Sequence, residues 1–158
     1  MGQKVINHSR GTITDLNVNI LNQLINDSRQ SARVIAKTLK ISTATVVAHM
    51  KQMENAGIIQ KYTTRVNFEK MGYEFEIMID IQVEKGKLLE VEKKIAKHPN
   101  VLAVYDVTGN FDAVVLARFK TRRKMDDFLK IVQTYDFIHR TNTKIILNTI
   151  KNDTIRVS

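Results

Sequence analysis

Residues 31–59 read SARVIAKTLKISTATVVAHMKQMENAGII, and this stretch decides the N-terminal fold. Ala32, Ile35, Ala36 and Leu39 fall at i, i+3, i+4 and i+7, the stripe that an amphipathic helix buries. Ser31 stands where an N-cap belongs. After Lys40 and Ile41, Ser42 offers a second N-cap, and the helix that follows buries Val46, Met50 and Met53 before Gly57 supplies a left-handed stop. At about 100° per residue, the opposite face carries Ala44, Ala48, Lys51 and Asn55, flanked by Thr45, Val47 and Gln52. Small side chains let such a helix approach a major groove, amides and hydroxyls meet base edges, and Lys neutralises phosphate. A plain helical hairpin has the same periodicity, so the pattern alone leaves both readings open.

Charge weighs between them. The chain carries +9 formally, and residues 1–68 hold nine Lys or Arg against three acids, whereas residues 69–158 hold sixteen against thirteen. The excess therefore travels with the helix pair, which favours a polyanionic partner over a merely solvated face. A third helix precedes the pair: Thr14 can cap it, and Leu16, Ile20, Leu21, Leu24 and Ile25 form its stripe before Asn26-Asp27-Ser28 breaks the pattern. Residues 1–11 read as a flexible basic arm, 12–60 as a three-helix helix-turn-helix domain, and 61–72, with Tyr62, Thr63, Thr64 and Val66 near its start, as an extended linker.

Residues 73–152 follow a different grammar. Phe75, Ile77, Ile79, Ile81 and Val83 alternate with Glu76, Met78, Asp80 and Gln82, the period of a half-buried strand. Leu88, Val91 and Ile95 mark a helix ending at His98-Pro99. Strands are expected from Val101 to Thr108 and from Asp112 to Phe119 around a Gly109-Asn110 turn. Met125, Phe128, Leu129 and Val132 mark a further helix, and Thr143 to Ile150 a last strand. The order is βαββαβ, a ferredoxin-like antiparallel sheet with helices on one side, so the fold class is α+β. The third and last strands read as apolar on both faces, Ile145 and Leu147 being opposed by Ile146 and Ile150 in the last one. One face meets the helices, and the other calls for a second subunit. A homodimer would place two groove-reading helices about one helical turn apart, as a pseudo-palindromic operator requires.

From Ile13 to about Ile150 the chain resembles the Lrp/AsnC (feast/famine) transcriptional regulators. The resemblance is carried by Ile20-Leu21, Ile41-Ser42-Thr43-Ala44-Thr45-Val46, Glu54-Asn55-Ala56-Gly57-Ile58-Ile59, Tyr62-Thr63 and Gly109-Asn110-Phe111-Asp112, in this order and spacing. It implies a regulator of transcription whose ferredoxin-like domain is of the RAM/ACT-like kind, senses an amino acid or related small effector, and assembles dimers into tetramers or octamers. Members often carry acids where this chain has Thr14 and Asn17, Gly where it has Lys40, Arg where it has His49, and Asp where it has Asn110. His49 thereby exchanges a permanent cation for a side chain whose charge depends on pH. It is either a phosphate contact or an edge-of-core histidine.

Two sets of site residues follow. For double-stranded DNA they are Ser42, Thr43, Ala44, Thr45, Val47, Ala48, His49, Lys51, Gln52 and Asn55, with Lys37 and Lys40 joining Lys51 on phosphates. For the effector, the resemblance points to the Gly109, Asn110, Phe111, Asp112 loop, with Thr141 and Thr143 nearby. Gly permits close backbone approach there, and the Asp112 carboxylate suits an ammonium group. A plain hairpin turn with a solvated Asp is the alternative.

Other classes fit less well. The four histidines, His8, His49, His98 and His139, stand in separate elements without metal-ligand spacing, and neither a phosphate loop nor a catalytic constellation is present. No metal or cofactor is expected. The chain has no cysteine, which excludes disulfides and thiolate sites. An RNA-binding βαββαβ module stacks bases on strand aromatics, but Asp112 to Phe119 is aliphatic where rings would be needed. With neither a leader nor an apolar run of spanning length, the expected compartment is the cytoplasm, without membrane attachment.

Overall fold

Three hydroxyls set where the first helices begin. Thr14, Ser31 and Ser42 lie in extended backbone, and their side chains accept from the N–H groups of Asn17 (3.3 Å), Val34 (3.4 Å) and Thr45 (3.0 Å). Each satisfies a donor that a helix leaves free at its start. The helices are α1 (Asp15–Asn26), α2 (Ala32–Leu39) and α3 (Thr43–Asn55) in a computed structural model that describes residues 13–153, 156 and 157. The arm expected at 1–11 lies outside the described residues.

Helix α3 stops at Gly57, φ +69°, where the N–H groups of Gly57 and Ile58 return to the carbonyls of Glu54 (3.0 Å) and Met53 (2.9 Å). This closure needs a left-handed residue, which glycine adopts freely. Helix α2 closes similarly, with Ile41 N–H on Ala36 O at 3.0 Å, but its left-handed residue is Lys40 at φ +56°. A side chain in that conformation costs on the order of 1 kcal/mol. Ile20, Leu21, Leu24, Ile35, Ala36, Val46 and Met53 form the buried core of the helices.

The chain divides into two units, one comprising the residues up to Arg65 together with those from Asn152 onward, the other Val66–Lys151. The division falls inside the segment expected to be a linker. The second unit ends at Lys151, next to the boundary expected at 152, and Asn152, Asp153, Arg156 and Val157 belong to the helical unit.

The second unit runs β1 (Phe75–Val83), α4 (Leu88–Ile95), β2 (Val101–Asp106), β3 (Ala113–Phe119), α5 (Arg122–Gln133) and β4 (Ile138–Ile145). All pairings are antiparallel in the order β2-β3-β1-β4. Ile77, Ile79, Ile81 and Val83 of β1 and Ala113, Val115, Ala117 and Phe119 of β3 are buried with Val91 and Ile95 of α4 and Met125, Phe128 and Val132 of α5. This is the alternation visible in the sequence. Register places Met78, Val114 and Leu116 with Ala103 and Tyr105 on the opposite, helix-free face.

The last strand departs from expectation. It begins at Ile138 rather than Thr143, and Leu147 and Ile150 are 94% and 90% exposed beyond its end. Polar residues build its helix-free face: Arg140, Asn142 and Lys144 stand opposite Gln82, Asp80 and Met78. Asp80, only 6% exposed, explains the choice, since its Oδ2 accepts from Asn142 Nδ2 (3.0 Å) and Lys144 Nζ (2.6 Å). A buried carboxylate needs such partners. The expected two-sided apolarity of the last strand is therefore wrong, while that of β3 holds.

Candidate DNA-reading helix and effector cleft

Packing of α3 on α1 and α2 turns one side inward and leaves the other to solvent. Val46 and Met53 are buried, whereas Thr43, Ala44, Val47, Ala48, Lys51, Gln52 and Asn55 are exposed along one face. Ser42 and Thr45 join their hydroxyls at 2.8 Å where the helix begins. Lys37 and Lys40 are exposed on the preceding helix and its turn. Among the described residues, no ion pair ties Lys37, Lys40 or Lys51. The face is thus a convex helix surface of small, amide and cationic groups, as groove reading demands.

His49 stands at the border of this face. Its Nδ1–H donates to Oδ1 of Asn17, a 3% exposed residue of α1. That contact fixes the ring on the helix and leaves only Nε2 for another partner. The stripe of α1 read from the sequence did not contain Asn17, because an amide at a core position looks like a solvated one until its partner is known.

The second candidate lies where β1, β3 and β4 meet the hairpin loop. A cleft of ≈ 660 Å³ is lined by Gln82, Gly109, Asn110, Phe111, Asp112, Arg140 and Asn142. The loop is closed by Val107 N–H on Asp112 O (3.0 Å), and Gly109 holds φ +123°, a conformation that favours glycine. Asp112 prolongs the β1–β3 ladder past its last pair, Ile81 with Ala113. Its N–H donates to Ile81 O (2.9 Å), and its carboxylate accepts from Val83 N–H (2.8 Å). Arg140 lies over the Phe111 ring at 5.9 Å. One anion, one cation and three amides therefore border a single cleft.

Four of the six residues expected for the effector are together here. Thr141 and Thr143 are not: they pair with Ile81 and Ile79 and so share the helix side of the sheet. Strand alternation puts Arg140 and Asn142 in their place. Sequence reasoning missed these two and Gln82, since only the register of β1 on β4 brings them to the loop.

A model described as the Lrp/AsnC ligand binding domain matches residues 76–155, and one described as winged helix-turn-helix DNA-binding matches residues 13–60. The chain belongs to the Lrp/AsnC family. An uncharacterized HTH-type transcriptional regulator of Pyrococcus furiosus is 42% identical over 141 residues, which cover 89% of this chain and 95% of that protein. Among solved structures, Escherichia coli AsnC superimposes with TM-score 0.87 at 24% identity, covering 93% of this chain and all of that one. A Neisseria meningitidis transcriptional regulator in complex with L-methionine gives 0.84 at 21% identity, with 93% and 97% covered. These two likenesses establish a common fold. The regulator is thus a transcription factor with a helix-turn-helix DNA-binding domain and a ligand-binding domain. No helix among its described residues is long and apolar enough to cross a membrane.

Proposed function

We propose that the regulator reads a pseudo-palindromic operator through the exposed face of α3, as a homodimer whose DNA binding responds to an amino acid. The observation that carries this reading is the α3 face itself. Thr43 to Asn55 present small and hydrogen-bonding groups beside lysines that have no ion-pair partner among the described residues. Gln52 and Asn55 meet base edges, while Lys37, Lys40 and Lys51 meet phosphates. The dimer uses the helix-free sheet face around Met78, Ala103, Tyr105, Val114 and Leu116, and dimers assemble further into tetramers or octamers. The cytoplasm, where the operator lies, is its place of action.

The cleft supports the effector reading by its chemistry. An α-amino acid carries an ammonium and a carboxylate, and Asp112 and Arg140 supply the opposite charges. Charge-assisted pairs of this kind are the stronger hydrogen bonds, and the neighbour from Neisseria meningitidis holds L-methionine. No step of this function calls for bond making or breaking.

Fluorescence anisotropy tests it. A labelled duplex from the region upstream of the regulator's own gene is compared with a scrambled duplex across a salt series. Tighter binding to the upstream duplex, with a steep loss of affinity as salt rises, is the expected result. Equal binding to both, or none, would shift the function to metabolite sensing or RNA association without operator reading.

A further inference from the structure

Asn22 lies in the interior of α1, where its side chain has no capping role. Its amide nevertheless makes two hydrogen bonds to one residue 135 positions away: Nδ2 donates to Val157 O (2.9 Å), and Oδ1 accepts from Val157 N–H (2.9 Å). A primary amide that meets both main-chain groups of one residue reproduces what a neighbouring strand offers in a ladder. The Val157 side chain packs against the helix-turn-helix core of Ile20, Leu21, Leu24, Ile35, Ala36, Val46 and Met53. Closer to the second unit, Arg65 pairs with Asp153 at 3.1 Å, joining the segment that leaves α3 to the one that returns. Both side chains are about two-thirds exposed, so this pair is an auxiliary contact. Asn22 and Val157 are the specific ones.

We propose that α1 carries a docking notch for the regulator's own C-terminal segment, and that this segment is a second covalent tie between the ligand-binding and DNA-binding domains. The occupant is the segment after β4 that carries Asp153 and Val157, with Val157 seated in the notch. Strand β4 carries Arg140 and Asn142 of the effector cleft, and Val157 follows Asn142 by fifteen positions along the chain. Together with the connection after α3, this segment gives the DNA-binding domain two attachments to the domain that senses the ligand. A shift of β4 on ligand binding then reaches α1 directly as well as through α3. The transmission half of this inference rests on the proposed amino-acid response; the notch itself does not.

The test uses a substitution whose sign separates a latch from a loosely lying tail. In an exposed helix interior, Asn→Ala improves helix propensity and raises stability slightly. If the notch holds Val157, Asn22→Ala instead lowers the melting temperature of the helix-turn-helix domain in the full chain by roughly 4 °C or more. Val157→Pro, which removes the N–H that Asn22 accepts, lowers it similarly, and the double variant loses less than the sum. In the unmodified protein, hydrogen exchange of the Val157 amide is expected to be as slow as that of α1. A gain in stability from Asn22→Ala, or free exchange at Val157, overturns the notch. For transmission, the L-methionine-induced change in operator affinity is expected to fall at least twofold in both variants, with calorimetric L-methionine binding retained. A full response in Asn22→Ala overturns the tie, whereas absence of L-methionine binding to the unmodified protein counts against the choice of effector and leaves the melting result to decide the notch.

Discussion

Asp112 occupies two roles that a pair of substitutions can separate. Its carboxylate faces the cleft and also accepts from Val83 N–H at 2.8 Å, on a residue that is only 8% exposed. Removing the acceptor in Asp112→Ala leaves that donor desolvated and unpaired. A hydrogen bond to a charged group is worth about 1.5–3 kcal/mol, and partial exposure of Asp112 places the loss near the lower end, about 1.5 kcal/mol. In a domain of this size each kcal/mol moves the midpoint by roughly 4–8 °C, so the ligand-binding domain of Asp112→Ala should melt roughly 6–12 °C lower. Asp112→Asn keeps an oxygen in the same place for Val83 and removes only the charge. It should melt within about 3 °C of the unmodified protein while its affinity for an amino-acid effector falls about tenfold, near 1.4 kcal/mol, as a charge-assisted bond becomes a neutral one. Scanning calorimetry reads the first quantity and isothermal titration the second. If Asp112→Asn is as unstable as Asp112→Ala, the acceptor role is wrong; if it binds effector undiminished, the carboxylate does not hold the ammonium.

Lys40→Gly relieves the left-handed side chain at φ +56° and should raise the stability of the helix-turn-helix domain by about 0.5 kcal/mol, glycine's greater unfolded-state entropy offsetting part of the gain. Operator affinity should fall at the same time, so a rise or a fall in both quantities together would contradict the assigned roles. Gln52→Ala is expected to cost about 1–3 kcal/mol of discrimination between operator and scrambled DNA, while Lys51→Ala weakens both alike and lowers the salt slope by about one; equal losses on both duplexes for both variants would mean that α3 reads no bases. Burial first, and then the neighbouring Asp106 carboxylate, push the Glu92 carboxyl above its ordinary value, and its buried Oε1 has no hydrogen-bond partner among the described residues. The folded state then holds the proton more tightly than the unfolded one, so stability falls as pH rises from the unfolded value through the folded one; Glu92→Gln should raise the melting temperature more at pH 7 than at pH 4, and an equal gain at both would refute the linkage. Replacing Asn17 by Asp together with His49 by Arg should be better tolerated than the sum of the single changes, with a coupling of about 0.5–3 kcal/mol in a double-mutant melting cycle, whereas additive losses would show the positions to be independent.

What was legible in the sequence was local. Thr14, Ser31 and Ser42 cap the helices they precede, because a cap is decided within three residues. Strands β1 and β3 announced themselves by alternation, since one of their faces lies under α4 and α5. Strand β4 did not, because its helix-free face answers to the buried charge of Asp80 instead of to an apolar layer, and the apolar run after it drew the reading forward by several residues. The same cause hid half of the cleft. Gln82, Arg140 and Asn142 reach the Gly109–Asp112 loop only through the pairing of β1 with β4, and nothing in their own neighbourhoods distinguishes them from solvated strand residues. Asn22 was hidden for a related reason, its partner Val157 being nearly the whole chain away.

The pair of Asn17 and His49 turns two apparent weaknesses of the sequence into one consistent feature. Taken separately, an amide where family members often carry an acid, and an imidazole where they often carry Arg, each looks like the loss of a charge from the DNA-binding domain. In the structure the two side chains meet. An acid and an arginine at these positions would form an ion pair that the 3% exposed site of Asn17 must desolvate, a cost that can exceed the attraction gained. The amide and the imidazole replace it with a neutral hydrogen bond that satisfies the buried oxygen without burying a charge. The exchange has a consequence at the DNA. Arginine could pair with the acid and still offer donors to a phosphate, since it has five, but a neutral His49 spends its one N–H on Asn17 and presents a lone pair at Nε2. His49 therefore holds α3 on α1 through Nδ1 and spends its donor there, so its part is to position the helix, and the proposed phosphate contacts are those of Lys37, Lys40 and Lys51.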